Sequence, residues 1–403
     1  MKQHVEKLHT IANQKSRRII GLMSGTSLDG LDVALCKIEN SGTDTILEVE
    51  NFTTVPYSET FRDEIRKVFA KSEIDFQHLC VLNPFIGIEH GKMILDCLEK
   101  WNIAPSEIDL IASHGQTVFH APKIQHGLAD FPNATLQIGD GDHIALETNI
   151  ITLSDFRQKH VAAGGEGAPL AVYGDYFLFS KKGENRILLN MGGIANFTLL
   201  PGTVNTDPSE KLPVFTTDTG PGNTLIDAYM RRFFRKPYDE NGEVASNGIP
   251  NEIFLKVLKE KSFFDAPFPK TTGPEVFNFD YVENAIQKSR LSSLSRNDII
   301  ATLTQLSADT IVDSIRKVTN NNESYKIFAS GGGAHNPILM KAIKDQLPDY
   351  PVFLLDELGV SGDAKEAVLF AVLANETVAG TGDTFSSREG VPAVTMGKIS
   401  FPG

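Results

Sequence analysis

Three glycine-bearing turns hold the residues best able to do chemistry. The first, Gly25-Thr26-Ser27-Leu28-Asp29-Gly30, interrupts two apolar runs at 18–23 and 31–39 and is followed at once by Leu31 and Asp32. Closely spaced backbone N–H groups and two hydroxyls in such a turn can wrap phosphate oxygens. Asp29 and Asp32 carry charge suited to a magnesium ion or its waters beside that phosphate, Asp32 through water. The competing reading is a plain hairpin loop that uses Gly and Asp for their permissive dihedrals. It is not a Walker loop, which needs a strand–loop–helix and a Gly-Lys-Ser/Thr triplet.

Asp218 is the second element, at the end of an apolar run and followed by Thr219-Gly220-Pro221-Gly222-Asn223. A carboxylate there, beside a helix start, can take a proton from a hydroxyl or water while nearby amides face phosphate. Its rival role is an Asx-type bond to the next turn's amides. The third element is Ser330-Gly331-Gly332-Gly333-Ala334-His335-Asn336, where bare backbone lets a flat ring or phosphate approach closely. A dinucleotide site with Asp356 as the ribose acid competes here, but Asn336 stands where its third glycine belongs. Glu166 among glycines, and His114, Gln116 and Thr117 in a Ser-His-Gly-Gln-Thr turn, are candidates to contact a hydroxylated substrate. His114, His120 and His126 lack Cys or acidic partners at ligand spacing, which disfavours zinc.

The elements that must position these groups alternate. Strand-like runs fall at 18–23, 31–39, 45–54, 108–113 and 150–154, with helical spacing at 61–69 and 84–101. The second half repeats the outline: strand 186–190, the turn Met191-Gly192-Gly193, strand 197–200, and strand 214–218. A helix that Asn223 would cap comes next, then helix 299–318, strand 326–329, a helix with Pro337 in its first turn, strand 351–355 and helix 364–375. Two similar halves of mixed strands and helices predict a duplicated α/β fold with a cleft between the halves.

Bulk properties narrow the partners. With 403 residues, two domains are expected, and a net charge of −13 argues against nucleic acid or an acidic membrane surface as partner. Residues 1–18 show no signal-peptide pattern, and the longest apolar run, 367–374, is too short to span a bilayer. Cys36, Cys80 and Cys97 are widely spaced and odd in number, which fits reduced, buried thiols in a cytoplasm.

The order of the three turns is that of the sugar kinase, heat-shock-70 and actin superfamily. Residues Gly21-Leu22-Met23-Ser24-Gly25-Thr26-Ser27-Leu28-Asp29-Gly30-Leu31-Asp32 resemble, more narrowly, the opening of the anhydro-N-acetylmuramic acid kinases. So do Gln137-Ile138-Gly139-Asp140, Asp155-Phe156-Arg157 and the segments 113–117, 164–170, 190–196, 218–223 and 330–336, in that family's order over 18–400. His160 departs from members that carry an acid there, and Glu166 from members with Gln.

This resemblance implies a duplicated ribonuclease-H-like two-domain fold of the actin/sugar kinase type with a central ATP cleft. It implies hydrolytic opening of the 1,6-anhydro ring of anhydro-N-acetylmuramic acid and phosphorylation of O6 from ATP with Mg²⁺, in peptidoglycan recycling. Asp218 would be the catalytic base. ATP contacts would come from Gly25, Thr26, Ser27, Leu28, Asp29, Gly30, Leu31, Asp32, Gly192, Gly193, Gly220, Gly222, Asn223, Gly331, Gly332 and Gly333. His114, Gln116, Thr117, Arg157, Lys159 and Glu166 would bind the sugar, Arg157 and Lys159 meeting its lactyl carboxylate. A cytoplasmic homodimer is expected by resemblance alone. The expected domains are a polar extension 1–17, a first domain 18–148 joined by 376–403, and a second domain 149–375 with the acid and the adenosine loop. The alternatives are a kinase of another anhydro sugar such as levoglucosan, a nucleotide-dependent chaperone-like protein, and a dehydrogenase built on Gly331–Gly333.

Overall fold

A computed structural model describes residues 2–25, 27–168, 170–202, 214–291, 293–319, 323–380 and 392–403. The chain forms two compact units, Met1–Leu178 with Gly359–Gly403, and Phe179–Leu358. In the first, β1 (Ser16–Ser24), β2 (Gly30–Glu39) and β3 (Ile46–Pro56) make an antiparallel meander. On the other side of β1 lie β4 (Leu110–Ala121) and then β6 (Thr152–Ser154), both parallel to it, while β5 (Ala134–Ile138) pairs with β4. The C-terminal strand Lys398–Ser400 completes the sheet beside β6. β1 is buried along its last six positions, as a strand covered on both faces must be, whereas the edge strand β3 has no fully buried position.

The second unit repeats this order. β7 (Asn185–Met191), β8 (Ile194–Leu200) and β9 (Phe215–Pro221) are antiparallel, and β10 (Tyr325–Ser330) and β11 (Val352–Leu354) continue parallel to β7 on its far side. With β5 set aside as a branch from β4, both sheets thus share one order, β3-β2-β1-β4-β6 in the first and β9-β8-β7-β10-β11 in the second, which is the expected duplicated α/β fold. A dinucleotide fold of parallel strands is not what β7 to β9 form.

The expected domain limits shift. Residues 149–178 belong to the first unit because β6 pairs with β4, and 359–375 join it because the helix Lys365–Ala379 packs on β1, β2 and β4. The lead-in is also more than an extension. It forms the helix Lys2–Asn13 with Ile11 buried, and β1 already starts at Ser16. Arg17 is 2% exposed and donates from Nε to Asn375 Oδ1 at 2.6 Å and from Nη2 to the Asn40 carbonyl at 2.9 Å. The helix expected over 84–101 begins at Phe76, where the Asp75 carboxylate accepts from the His78 amide, and runs through Pro84 to a left-handed Asn102. Cys36 and Cys97 are buried, but Cys80 is exposed. Among the described residues no helix is long and apolar enough to cross a membrane.

One backbone contact sets the depth of the first unit. A Cβ on Gly21, in the middle of β1, would stand 1.9 Å from the carbonyl oxygen of Ala367. The helix Lys365–Ala379, buried from Ala367 to Glu376, rests directly on bare strand backbone there. Gly21→Ala must push the two apart, and overpacking of this kind costs about 1–3 kcal/mol. Gly362→Ala, with open space around it, is the control. We expect urea unfolding to show a lower midpoint for Gly21→Ala only, and a wild-type midpoint would contradict the contact.

Candidate functional site

The first unit gathers the turn after β1 and most of the expected sugar contacts. Gly25 opens the turn, Leu28 is buried at a φ of 59°, and the Leu28 amide donates to the Gly25 carbonyl at 3.4 Å. Ser27 Oγ donates to Asp29 Oδ1 at 2.6 Å, which holds the Asp29 carboxyl below its ordinary range. Asp32 accepts from Thr54 Oγ at 2.5 Å. Burial pushes its pKa up, and the charges of Asp29 and Asp363 add to the rise, so a cation beside it would relieve repulsion. Gly30 and Leu31 are buried at the start of β2. Thr26 lies outside the described residues. Among the described residues no group of three or more His, Cys, Asp or Glu could hold a metal alone.

Gln116, expected to touch sugar, is fully buried and serves the turn instead. Its Oε1 accepts from Ser24 Oγ at 2.5 Å, and its Nε2 donates to the carbonyls of Thr117 at 3.1 Å and Gly25 at 3.4 Å. Thr117 Oγ accepts from Gln137 Nε2 at 3.1 Å. Arg157 donates from Nε to His114 Nε2 at 2.8 Å and from Nη1 to the Gly167 carbonyl at 2.7 Å. Its remaining nitrogen, Nη2, makes no hydrogen bond among the described residues. Burial lowers the Arg157 pKa, and the charge of Glu366 partly offsets that. Burial and the neighbouring Arg157 hold His114 neutral, with a pKa of about 3. His160 is held down to about 4, first by burial and then by Arg157. His160 Nδ1 accepts from the Gly167 amide at 3.0 Å, so His160 and Arg157 together pin the glycine loop that carries Glu166. Glu166 and Lys159 are exposed.

Two features of this unit had no local sign in the sequence. Glu366, at the start of the helix Lys365–Ala379, is an exposed residue overall, yet desolvation at its carboxylate raises its pKa. Tyr57 and His90, 2% and 0% exposed, reach Ser24 through hydrogen bonds of 2.8 Å each.

The second unit draws the other glycine turns together. Amides of Gly222 and Asn223 donate to the carbonyls of Gly193 and Gly192, both at 2.9 Å, and the Thr224 amide donates to Gly193 at 3.0 Å. A Cβ on Gly222 would lie 2.3 Å from the Gly192 carbonyl, so only glycine permits this zipper. The amides of Gly222 and Asn223, expected to meet ATP, are therefore engaged within the fold. Those of Gly192 and Gly193 make no hydrogen bond among the described residues. Asn223 does not cap the next helix with its side chain; Nδ2 donates instead to the Met191 carbonyl at 3.1 Å. Gly331 and Gly333 lie against Met191 at the end of β7, and the exposed Gly332 lies nearest Asn223 Nδ2. Asn336 accepts from the amides of Ile338 and Leu339 and caps the helix Pro337–Gln346, with Pro337 in its first turn.

Asp218 stands near the end of β9, three positions before Pro221, and is half-buried. Its Oδ2 accepts from the Thr272 amide at 2.8 Å, while Oδ1 makes no hydrogen bond among the described residues. Burial raises its pKa above the ordinary aspartate range, and the Thr272 bond pulls it part of the way back. The Lys270 carbonyl accepts from the Asp218 amide at 2.9 Å, so 270–272 runs as a strap along the acid. Gly220, at a φ of 149°, follows. The result is a fixed carboxylate with one oxygen open, which suits a general base.

The model of the anhydro-N-acetylmuramic acid kinase family matches residues 17–401. An anhydro-N-acetylmuramic acid kinase of Pseudoalteromonas atlantica is 53% identical over the full length of both chains. One of Pseudoalteromonas translucida is 50% identical, again over all of both. A third, of Caldanaerobacter subterraneus subsp. tengcongensis, is 39% identical over 98% of this chain and 100% of its own. Agreement at this level over the whole length, with the motif turns built as described above, makes the chain a member of the anhydro-N-acetylmuramic acid kinase family.

Proposed function

We propose that the chain is an ATP-dependent kinase that opens the 1,6-anhydro ring of anhydro-N-acetylmuramic acid with water and phosphorylates O6, giving N-acetylmuramic acid 6-phosphate for cell-wall recycling. The observation that carries the reaction is Asp218, whose Oδ2 is fixed by the Thr272 amide and whose Oδ1 is open. A water proton passes to Oδ1 as the water oxygen bonds the anomeric carbon. The bond from that carbon to the bridging oxygen breaks, and O6 takes the γ-phosphoryl group, releasing ADP. Phosphoryl transfer then needs positioning and charge neutralisation more than covalent help from the protein.

The unengaged amides of Gly192 and Gly193 and the turn from Gly25 to Asp29 are assigned to the phosphates. The loop from Gly331 to Gly333, with Asn223, is assigned to the nucleoside. Mg²⁺, held through Asp32 and water, would neutralise phosphate charge. Arg157 is assigned to the lactyl carboxylate. It is a largely desolvated cation with a free Nη2 and a neutral imidazole on Nε, which favours an acid-bearing sugar over levoglucosan. His114, Thr117, Lys159 and Glu166 complete the sugar side, and Gln116 acts through the turn it braces. A cytoplasmic location and a homodimer belong to the same reading. Phe76 and Val81, 79% and 56% exposed on one long helix, favour self-association.

Mass analysis after incubation with ATP, Mg²⁺ and 1,6-anhydro-N-acetylmuramic acid should show the sugar gaining one phosphate and one water. A gain of phosphate alone would indicate a simple hydroxyl kinase. Asp218→Asn should keep nucleotide affinity and lose about 10²–10⁴-fold in kcat, the usual worth of a general base. Near-normal turnover would remove Asp218 from that role. The base must be ionised, so kcat/KM should fall as pH drops through its raised pKa. The acid limb should therefore lie above the ordinary aspartate value of about 3.9; a limb at or below that value would contradict the burial effect.

A further inference from the structure

We infer that Tyr57 and His90 are positioning residues for the phosphate turn, acting through a hydrogen-bond chain with a single allowed direction that ends on the Gly25 carbonyl. The inference rests on the proposed kinase reading for its consequence, but its geometry stands alone. Gln116 fixes the direction. Its Nε2 faces two carbonyls, those of Gly25 and Thr117, which only an amino group can satisfy. Its Oε1 must therefore face Ser24, and at 2.5 Å the Ser24 hydroxyl has to donate to it.

The rest follows step by step. Ser24 Oγ, having donated, accepts from the Tyr57 hydroxyl at 2.8 Å. Tyr57, its one proton committed, must accept from His90 Nε2 at 2.8 Å. His90 therefore carries its proton on Nε2, and its buried Nδ1 has no partner among the described residues. The ring is fully buried and stays neutral, with its pKa pushed down to about 4. Ser24 ends β1, Tyr57 directly follows β3, His90 sits inside the helix Phe76–Trp101, and Gln116 lies in β4. Side chains from four separate places in one unit are thus linked in a chain that reaches a single peptide group.

The chemical use lies in what that peptide group does not do. A carbonyl facing a phosphate repels it, and turning one away on binding costs reorganisation. Here the Gly25 carbonyl is already drawn inward by Gln116 and by the Leu28 amide. Bonds aligned head to tail polarise one another, so loss of the first link weakens the last.

The test uses Tyr57→Phe, which keeps the ring and its packing on Phe61, and the pair His90→Gln and His90→Leu. Gln can place an N–H close to the Nε2 position; Leu cannot. Calorimetry with ADP and with a non-hydrolysable ATP analogue, without sugar, reads the turn directly. We expect about a tenfold loss of affinity in Tyr57→Phe and His90→Leu, with most of it restored in His90→Gln. KM for the sugar should move little; the unfolding midpoint should fall in Tyr57→Phe, which strands the buried His90 Nε2–H, so affinities are compared at a temperature where every variant is folded. Nitrogen-15 NMR should find His90 neutral and protonated on Nε2. Wild-type affinity in Tyr57→Phe, equal losses in the two His90 variants, or a proton on Nδ1 would overturn the inference. If the wild-type chain bound no nucleotide, the kinase reading itself would fall, an outcome distinct from these three.

Discussion

A backbone amide hydrogen-bonded inside the fold is lost to a ligand, and this constraint governs both units. Glycine-rich turns are usually read as phosphate cradles because their amides are sterically accessible. In the second unit the zipper between 222–224 and the carbonyls of Gly192 and Gly193 engages three of those amides. What it leaves open is the opposite pair, the amides of Gly192 and Gly193, presented by carbonyls that are themselves tied down. In the first unit the same logic runs through side chains, with Gln116 and the Leu28 amide drawing the Gly25 carbonyl inward. In each unit a turn is held by bonds to its carbonyls. A dipole held before the ligand arrives need not reorganise when it does.

The duplicated sheets show why glycine recurs at places that touch no ligand. A helix can approach a strand's backbone only where the strand has no Cβ, and Gly21 gives the helix Lys365–Ala379 that access. The helix is thereby set at both ends. Near its start, Glu366 comes within electrostatic reach of Arg157 and Asp32. Near its finish, Glu376 Oε1 accepts from the Gly42 amide at 2.8 Å and Asn375 accepts from Arg17. One packing contact in the middle of a strand thus aligns a carboxylate with a guanidinium more than a hundred residues apart in sequence.

Strands, turn positions and the duplicated outline were legible because each has a local signature: alternation, a glycine cluster, a Pro337 in a helix's first turn. The domain limits were not, because β6 joins the first sheet only through pairing with β4, a long-range choice with no local mark. Asp218 was readable as a strand-end acid, yet the Thr272 amide that fixes it lies more than fifty residues on, in an irregular strap. His90 and Tyr57 read as ordinary positions of a helix and a strand end; only burial makes their polar atoms matter. Gln116 and Asn223 show another limit. Neither side chain's partner is near it in sequence: Gln116 donates to the Gly25 carbonyl and Asn223 to the Met191 carbonyl. Polar residues in a tight turn are as easily its fasteners as its contacts.

The charge balance around Arg157 links these threads. A desolvated guanidinium is costly unless an anion or a full set of acceptors meets it. Here Nε meets a neutral imidazole, Nη1 meets a carbonyl, and Glu366 acts on the guanidinium only through space, with no hydrogen bond between them among the described residues. The cation is thus held by dipoles, with no ionised partner in hydrogen-bond contact. Such a group gains more from an arriving carboxylate than one already paired, because no existing salt bridge has to break first. Under the proposed reaction the lactyl acid of the sugar fills that role. His114 braces this cation, its Nε2 accepting from Arg157 at 2.8 Å.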